Sequence, residues 1–325
     1  MIDVSIVVAV YNHENYIKQA LDGILMQKVN FEYEVLIGED CSTDNSRNIL
    51  KELESELPAN FHIFFREKNY GALGNFLDLY HKTNGRYFIA LEADDYWTYN
   101  LKLQKQFDFL ENNTDYISVA HNTQVVDKNG NPVSYNYAEC KQEDYSFDDF
   151  LKGILPGQTT TKLTRNYYKY HIIKGSNLDV GEYPGDQREA FLLCVNGKVR
   201  CIQEKWSAYR MVIKGGSSYT ATCCYDEEQE LFYWKQLYVY LLKYYPEDAY
   251  KIQQIGNRFI WRYFVAKIKR EPFAKKYRNY LSLGKIPSRR SLYAFIFINL
   301  IKTPLRKAER TIKIARMQRI FGKAR

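Results

Sequence analysis

No G-x-G-x-x-G and no G-x-x-x-x-G-K-[ST] occurs in these 325 residues, so neither the dinucleotide fingerprint nor the P-loop supplies a phosphate cradle. Histidine is scarce, with five residues and no zinc spacing. The six cysteines, Cys41, Cys140, Cys194, Cys201, Cys223 and Cys224, form no C-x-x-C pair and no disulfide-like pattern, which suits a reducing compartment. Long apolar runs are missing too. The longest, Leu292 to Ile301, is about half the ~20 residues that a membrane-spanning helix needs. The amino terminus opens directly on a strand pattern, without a charged leader or cleavage site, so a cytoplasmic protein is expected. Internal repeats and low-complexity tracts are absent.

What is present is apolar, aromatic and unevenly charged. Hydrophobic residues at 46% exclude a disordered chain, and 29 tyrosines lead an aromatic content of 16%. Residues 251 to 325 hold 21 Lys+Arg against Glu271 and Glu309, a net charge of +19, which leaves −11 for residues 1 to 250. The overall +8 therefore describes neither part.

The first 110 residues alternate between two periodicities. Val4 to Val10 is a β-branched run of the kind buried on both faces of a parallel sheet. After Tyr11-Asn12-His13, Tyr16, Ile17, Ala20, Leu21, Ile24 and Leu25 recur at helical spacing. Tyr33 to Gly38 repeats the strand pattern, Glu39 to Asn45 is a polar turn, and Ile49, Leu50, Leu53 and Leu57 line a second helix, with Ser42 or Thr43 as its cap. Phe61 to Phe65 is a third strand, and Leu73, Phe76, Leu77 and Tyr80 mark a third helix. Arg86 to Leu91 is the fourth strand, ending in Glu92-Ala93-Asp94-Asp95-Tyr96-Trp97. Four strands alternating with three helices predict a parallel, right-handed, doubly wound α/β sheet. Its strand ends would gather Tyr11, Asp40 and Asp94-Asp95 at one edge.

Residues 111 to 222 read as a mixed half. A helix through Leu103, Phe107 and Leu110 leads to strands at Tyr116 to Ala120, Gln158 to Leu163 and Lys198 to Gln203. A turn at Asp127 to Pro132 joins two further strand segments, and helices are expected at Phe147 to Leu151 and from Gly185, with Asp186 near its start. From residue 223 the pattern is helical, with Leu231, Trp234, Leu237, Tyr238, Leu241 and Leu242 on one face. This divides the chain into residues 1–222, with a nucleotide-binding half (1–110) and an acceptor half (111–222), and a basic helical region, 223–325.

Carboxylates at the carboxyl end of a buried strand are hard oxygen ligands, suited to Mg²⁺ or Mn²⁺ carrying a phosphate. The competing reading is a solvated turn. Tyr11 either stacks on a nucleobase or plugs the sheet edge; Asp40 either meets the edge of the base or closes a turn.

Taken together, Val4 to Asn12, Gly38 to Ser46, Asn69-Tyr70-Gly71 and Leu91 to Trp97 resemble glycosyltransferase family 2, with its GT-A fold. Gly185-Asp186, Ala208-Tyr209-Arg210 and Gly215-Gly216-Ser217 extend the likeness to about residue 220. The resemblance implies an inverting transferase that uses a nucleotide-sugar donor, UDP-linked by expectation. It implies base stacking by Tyr11, with main chain near Ala9 beside it, and a base contact from Asp40. It also implies Asp94 at the ribose or metal, Asp95 on the divalent cation, and Asp186 as the base that deprotonates the acceptor hydroxyl. Three positions depart from the pattern: Ala9 replaces a Pro, Glu92 replaces an Asp, and Val212 stands where the family often has His. Arg210, Lys214 or Arg165 are the expected substitutes for the missing charge.

After Pro304, Leu305, Ala308, Ile312 and Ala315 alternate with Arg306, Lys307, Arg310, Lys313 and Arg316 as a basic amphipathic helix. Such a segment can lie on an anionic membrane, which would bring the enzyme to a lipid-linked or glycan acceptor in surface polysaccharide synthesis. Packing on the acidic half is the competing reading, and nucleic acid is disfavoured because no recognisable module is present. A catalytically silent nucleotide-sugar-binding or scaffold protein is the rival function.

Overall fold

In the computed structural model of the chain, residues 1–134, 139–151, 155–175, 185–211 and 227–248 are described. The chain divides into two compact units, Met1–Lys174 with Pro184–Cys223, and Gly175–Tyr183 with Cys224–Arg325.

The first unit is built on one nine-stranded sheet. Its opening half follows the alternation of the sequence: β1 (Val4–Val10), α1 (Ile17–Leu25), β2 (Tyr33–Glu39), α2 (Ser46–Leu53), β3 (Phe61–Phe65), α3 (Gly71–Lys82) and β4 (Tyr87–Glu92). The four strands are parallel, in the order β3-β2-β1-β4. Val4, Ile6, Val8 and Val10 pack with Ile17, Leu21 and Ile24 of α1 and Leu50 of α2. On the other face Asn75 of α3 donates to the Gly38 carbonyl of β2 at 2.8 Å. Helices on both faces explain why β1 has no polar side.

The second half is mixed. It comprises β5 (Tyr96–Trp97), α4 (Lys102–Asn112), β6 (Tyr116–Val126), β7 (Asp144–Tyr145), α5 (Phe147–Leu151), β8 (Leu163–Arg165), α6 (Gly185–Asn196) and β9 (Lys198–Arg210). Beyond β4 the order runs β8-β6-β9-β5, with β7 on β9. β6 and β9 pair in parallel, and β8 is antiparallel to both β4 and β6.

Four sequence expectations change here. The Thr-rich stretch is a 3₁₀ turn at Thr159–Thr161 that enters the shorter β8, because Gln158 Oε1 accepts from the Thr160 N–H and Thr161 Oγ1 donates to the Gln158 carbonyl within the turn. The strands read at 116–120 and 198–203 are longer. Among the described residues, the segment after the 127–132 turn contributes a bridge between Val126 and Pro132; residues 135–138 of the expected strand lie outside them. Neither Ser42 nor Thr43 caps α2, whose N-cap is Asn45; Ser42 and Thr43 face the β1 loop instead.

In the second unit the described helix is α7 (Glu227–Tyr244), where Leu237, Tyr240 and Leu241 are buried. Leu242, assigned to that face by the sequence pattern, is 48% exposed, since its angular position falls outside the stripe through 237, 240 and 241. The basic segment from Pro304 lies outside the described residues. No helix among the described residues is long and apolar enough to cross a membrane.

Candidate active site at the sheet switch point

Strand order turns back at β1: β2 lies on one side and β4 on the other, and open α/β sheets bind ligands at the carboxyl ends beside such a reversal. The register places the candidates there. Ala9 is paired with Gly38 on β2 and Glu92 on β4. Tyr11, Asp40 and Asp94 each lie two residues beyond that row, on neighbouring strand ends spaced roughly 5 Å apart.

The first two loops are tied together. Asn12 and Cys41 have positive φ values of 58° and 59°, a conformation that costs of order 1–3 kcal/mol for residues other than glycine. Cross-links between the loops hold it. Asn12 Oδ1 accepts from the Thr43 N–H at 2.8 Å, the Asn12 N–H donates to Ser42 Oγ at 3.0 Å, and the His13 N–H donates to Ser46 Oγ at 2.8 Å. Asp40 is buried, and its Oδ1 accepts from the Tyr70 N–H at 2.7 Å. Burial raises its pKa, against the amides of Tyr70 and Gly71 and the charge of Arg66. Tyr11 and Ala9 are half-buried at this edge.

Beyond β4 lies a cluster of acids. Asp95 is 1% exposed, and both of its oxygens are engaged: Oδ2 accepts from Gln158 Nε2 at 2.9 Å and Oδ1 from the Arg210 N–H at 2.8 Å. Burial raises its pKa strongly, aided by Asp94 and Glu92. Glu92 is pushed up to about 8 by burial, then by Asp94, Asp186 and Glu189, with Lys162 opposing. That mutual influence brings Asp186, from the start of α6, into the same cluster as Glu92. Asp186 is half-buried, and its Oδ1 accepts from the Gln187 N–H at 2.8 Å. Glu189, one turn further on, pairs instead with the buried Lys162 at 2.7 Å. This leaves Asp186 as the acid of that helix without an ion-pair partner among the described salt bridges.

Close packing fixes the acidic turn in place. A Cβ on Gly23 of α1 would come within 2.9 Å of the Trp97 backbone, so α1 and β5 approach each other closely only because that residue is glycine. Trp97 is buried, and its Nε1 donates to the Thr160 carbonyl at 3.1 Å.

A divalent cation fits the donor chemistry. Glu92, Asp94 and Asp95 are hard oxygen donors, and the charge of Asp94 helps to raise the pKa of both Glu92 and Asp95, a repulsion that a bound cation would relieve. Among the described residues no three acidic, His or Cys side chains are arranged to hold an ion unaided. A cation here would take one or two carboxylates and complete its shell with phosphate and water, as Mg²⁺ commonly does.

Two proposed substitutes for the missing histidine are otherwise engaged. The Arg210 guanidinium donates to the carbonyls of Asp94, Asp127 and Lys128 and to Gln19 Oε1, and lies 4.3 Å over the Tyr16 ring. Arg165 donates to the carbonyls of Tyr116, Leu110 and Asn113, at the end of β4 remote from the acids. Lys214, Val212 and Gly215-Gly216-Ser217 lie outside the described residues. Sequence reasoning missed Gln158 and the Lys162–Glu189 pair; the Pro156-Gly157 step before Gln158 was the available signal. A separate open cavity of about 450 Å³, lined by Lys105, Asp108, Phe109, Ile202, Glu204 and Trp206, shares no residue with the acidic cluster.

Comparison with known proteins agrees with this geometry. The profile of "Glycosyl transferase family 2" matches residues 5–171. An uncharacterised protein of Mycobacterium tuberculosis (strain ATCC 25618 / H37Rv) is 31% identical over 218 residues, 66% of this chain and 61% of its own. The putative teichuronic acid biosynthesis glycosyltransferase TuaG of Bacillus subtilis (strain 168) is 29% identical over 163 residues, 50% of this chain and 62% of its own. The chain thus spans less than two thirds of either relative. Among solved structures, S. aureus TarS 1-349 in complex with UDP-GlcNAc superposes with a TM-score of 0.59 at 20% identity, covering 81% of this chain and 73% of the other. At that identity the likeness concerns the fold, which is GT-A. With a family profile matched over half its length, the chain belongs to glycosyltransferase family 2.

Proposed function

We propose that the chain is a metal-dependent, inverting glycosyltransferase that moves a sugar from a nucleotide sugar, UDP-linked, to a hydroxyl of a glycan or lipid-linked acceptor in surface polysaccharide synthesis. The observation that carries this reading is the convergence of Tyr11, Asp40, Asp94, Asp95 and Asp186 on one sheet edge in a family 2 chain. The UDP-GlcNAc bound by TarS and the teichuronic acid role in the name of TuaG support the donor and the pathway class.

Tyr11 stacks on the base while Asp40 accepts from its ring N–H. Asp95 and Asp94 would hold Mg²⁺ or Mn²⁺, which when bound would supply charge neutralisation for the leaving diphosphate. Asp186 takes the proton of the acceptor hydroxyl as its oxygen bonds to the anomeric carbon and the carbon–oxygen bond to the diphosphate breaks. Attack from the face opposite the leaving group gives inversion. Residues 1–222 form the catalytic part, and the basic region 223–325 docks it on the cytoplasmic face of an anionic membrane.

Thermal stabilisation by UDP, GDP, CDP and TDP, each with and without Mn²⁺, tests the reading. One nucleotide should stabilise the protein, and only with metal. Equal, small responses to all four would reject it, and selective binding without sugar transfer would favour a silent nucleotide-sugar-binding protein.

A further inference from the structure

Among the described residues, Gln158 is a neutral side chain that joins two of the acids. Its Nε2 donates to Asp95 Oδ2 at 2.9 Å and to Glu92 Oε2 at 3.2 Å. The orientation of the amide is set from behind. Its Oε1 accepts from the Thr160 N–H at 3.0 Å and the Thr160 hydroxyl at 2.5 Å. A backbone N–H can only donate, so the amide oxygen must face Thr160 and both amide hydrogens must face the carboxylates.

The turn that carries this side chain is itself immobilised. Gly157 has φ +78°, and a Cβ there would lie 2.7 Å from Thr161 Oγ1 and 2.8 Å from Ala120 Cβ, so the step into Gln158 requires glycine on two counts. Thr161 Oγ1 donates to the Gln158 carbonyl at 2.6 Å, Trp97 Nε1 donates to the Thr160 carbonyl, and Gln106 Nε2 donates to the Thr161 carbonyl at 2.8 Å. Gln158 is 6% exposed. Asp95 is therefore held on one oxygen by this amide and on the other by the Arg210 backbone, which fixes the direction of its remaining lone pairs.

We propose that Gln158 is a positioning residue of the cation–diphosphate site, its amide oriented by Thr160 so that Asp95 and Glu92 keep one spacing and Asp95 presents its free lone pairs in one direction. This rests on the reading of the site as one for a metal-bound nucleotide diphosphate. Two carboxylates bridged by a neutral amide stay close without a second cation; an acid or an apolar side chain at 158 would let them separate. A carboxylate aligned before the ion arrives loses less freedom on binding it.

The test compares the wild type, Gln158→Leu and Thr160→Val by Mn²⁺ titration followed by electron paramagnetic resonance, with and without UDP, alongside melting curves. Thr160→Val removes the orienting hydroxyl and touches neither acid. The Mn²⁺ midpoint should rise at least about tenfold in Gln158→Leu and two- to fivefold in Thr160→Val, in the same direction. Such shifts exceed what lower stability alone gives while the variants remain folded at the assay temperature. Wild-type midpoints in both variants, with only their melting temperatures lowered, would overturn the proposal and leave Gln158 a structural residue. A wild type that binds Mn²⁺ equally with and without UDP would count against the nucleotide reading while the variant comparison still judges Gln158. No Mn²⁺ binding by the wild type would overturn both.

Discussion

Raising the pH from 6.5 to 8 without divalent metal should cost the first unit more stability in the wild type than in Glu92→Gln. Glu92 is pushed from the ordinary 4.5 to about 8, because burial and the neighbouring acids disfavour its charge. Between those values the folded protein holds a proton that the unfolded chain has released, so stability falls as pH rises and the loss is complete above about 8. His13 and His121 act in the opposite sense. Burial depresses both below the ordinary 6.5, so their contribution grows with pH only up to about that value. Within the window from 6.5 to 8 the buried Lys102 and Cys140, both held below their ordinary values, also act in the opposite sense, so the share of Glu92 is read as the difference between the wild type and Glu92→Gln. At about 1.4 kcal/mol per unit, Glu92 alone accounts for at most about 2 kcal/mol over that interval. Its partial contact with solvent reduces this to about 1–2 kcal/mol. For a unit of roughly 200 residues that is a fall in Tm of about 2–8 °C. Asp95, shifted in the same direction, adds to it. Melting curves in EDTA across this window measure the fall, and Mn²⁺ should stabilise more at pH 8 than at 6.5, because the ion favours the ionised acids. A slope unchanged in Glu92→Gln would refute the account of the cluster.

Further outcomes follow from the same geometry. Asp186→Asn should retain UDP-sugar binding and lose transfer by at least about 100-fold, the usual worth of a general base; unchanged transfer would disqualify that residue. Lys162→Met leaves Glu189 without its ion-pair partner, a change that costs about 3–5 kcal/mol for a buried pair, whereas Lys162→Met with Glu189→Leu should recover much of that in urea titrations. A single variant as stable as wild type would show that the pair does not anchor α6.

The alternation of β1 to β4 with α1 to α3 was readable in the sequence because each element carries its own period, and β-branched strands without a polar face can only be central. Tyr11, Asp40 and Asp94 were readable for a related reason: a polar residue directly after a buried strand lies at the sheet edge whatever the rest of the chain does. The second half was harder. β9 pairs with β5, β6 and β7, contacts that no local window contains, and Thr-rich residues 159–161 carry strand propensity while their hydroxyls and amides close a turn. Arg210 illustrates the limit most clearly. By composition it is a free cation near a phosphate site, yet its guanidinium is committed to backbone carbonyls from the acidic turn and from residues 127–128. Gln158 was invisible because a glutamine has no diagnostic spacing, and its role exists only where β4 and the 3₁₀ turn meet.

A crystal structure of the protein with UDP and Mn²⁺ tests the central claim most directly. The account predicts the uracil ring against Tyr11 with its N–H on Asp40, and the ion between the diphosphate and Asp95, within reach of Asp94. Nucleotide bound instead in the open cavity beside Trp206, or at the sheet edge with no ion on either aspartate, would contradict it.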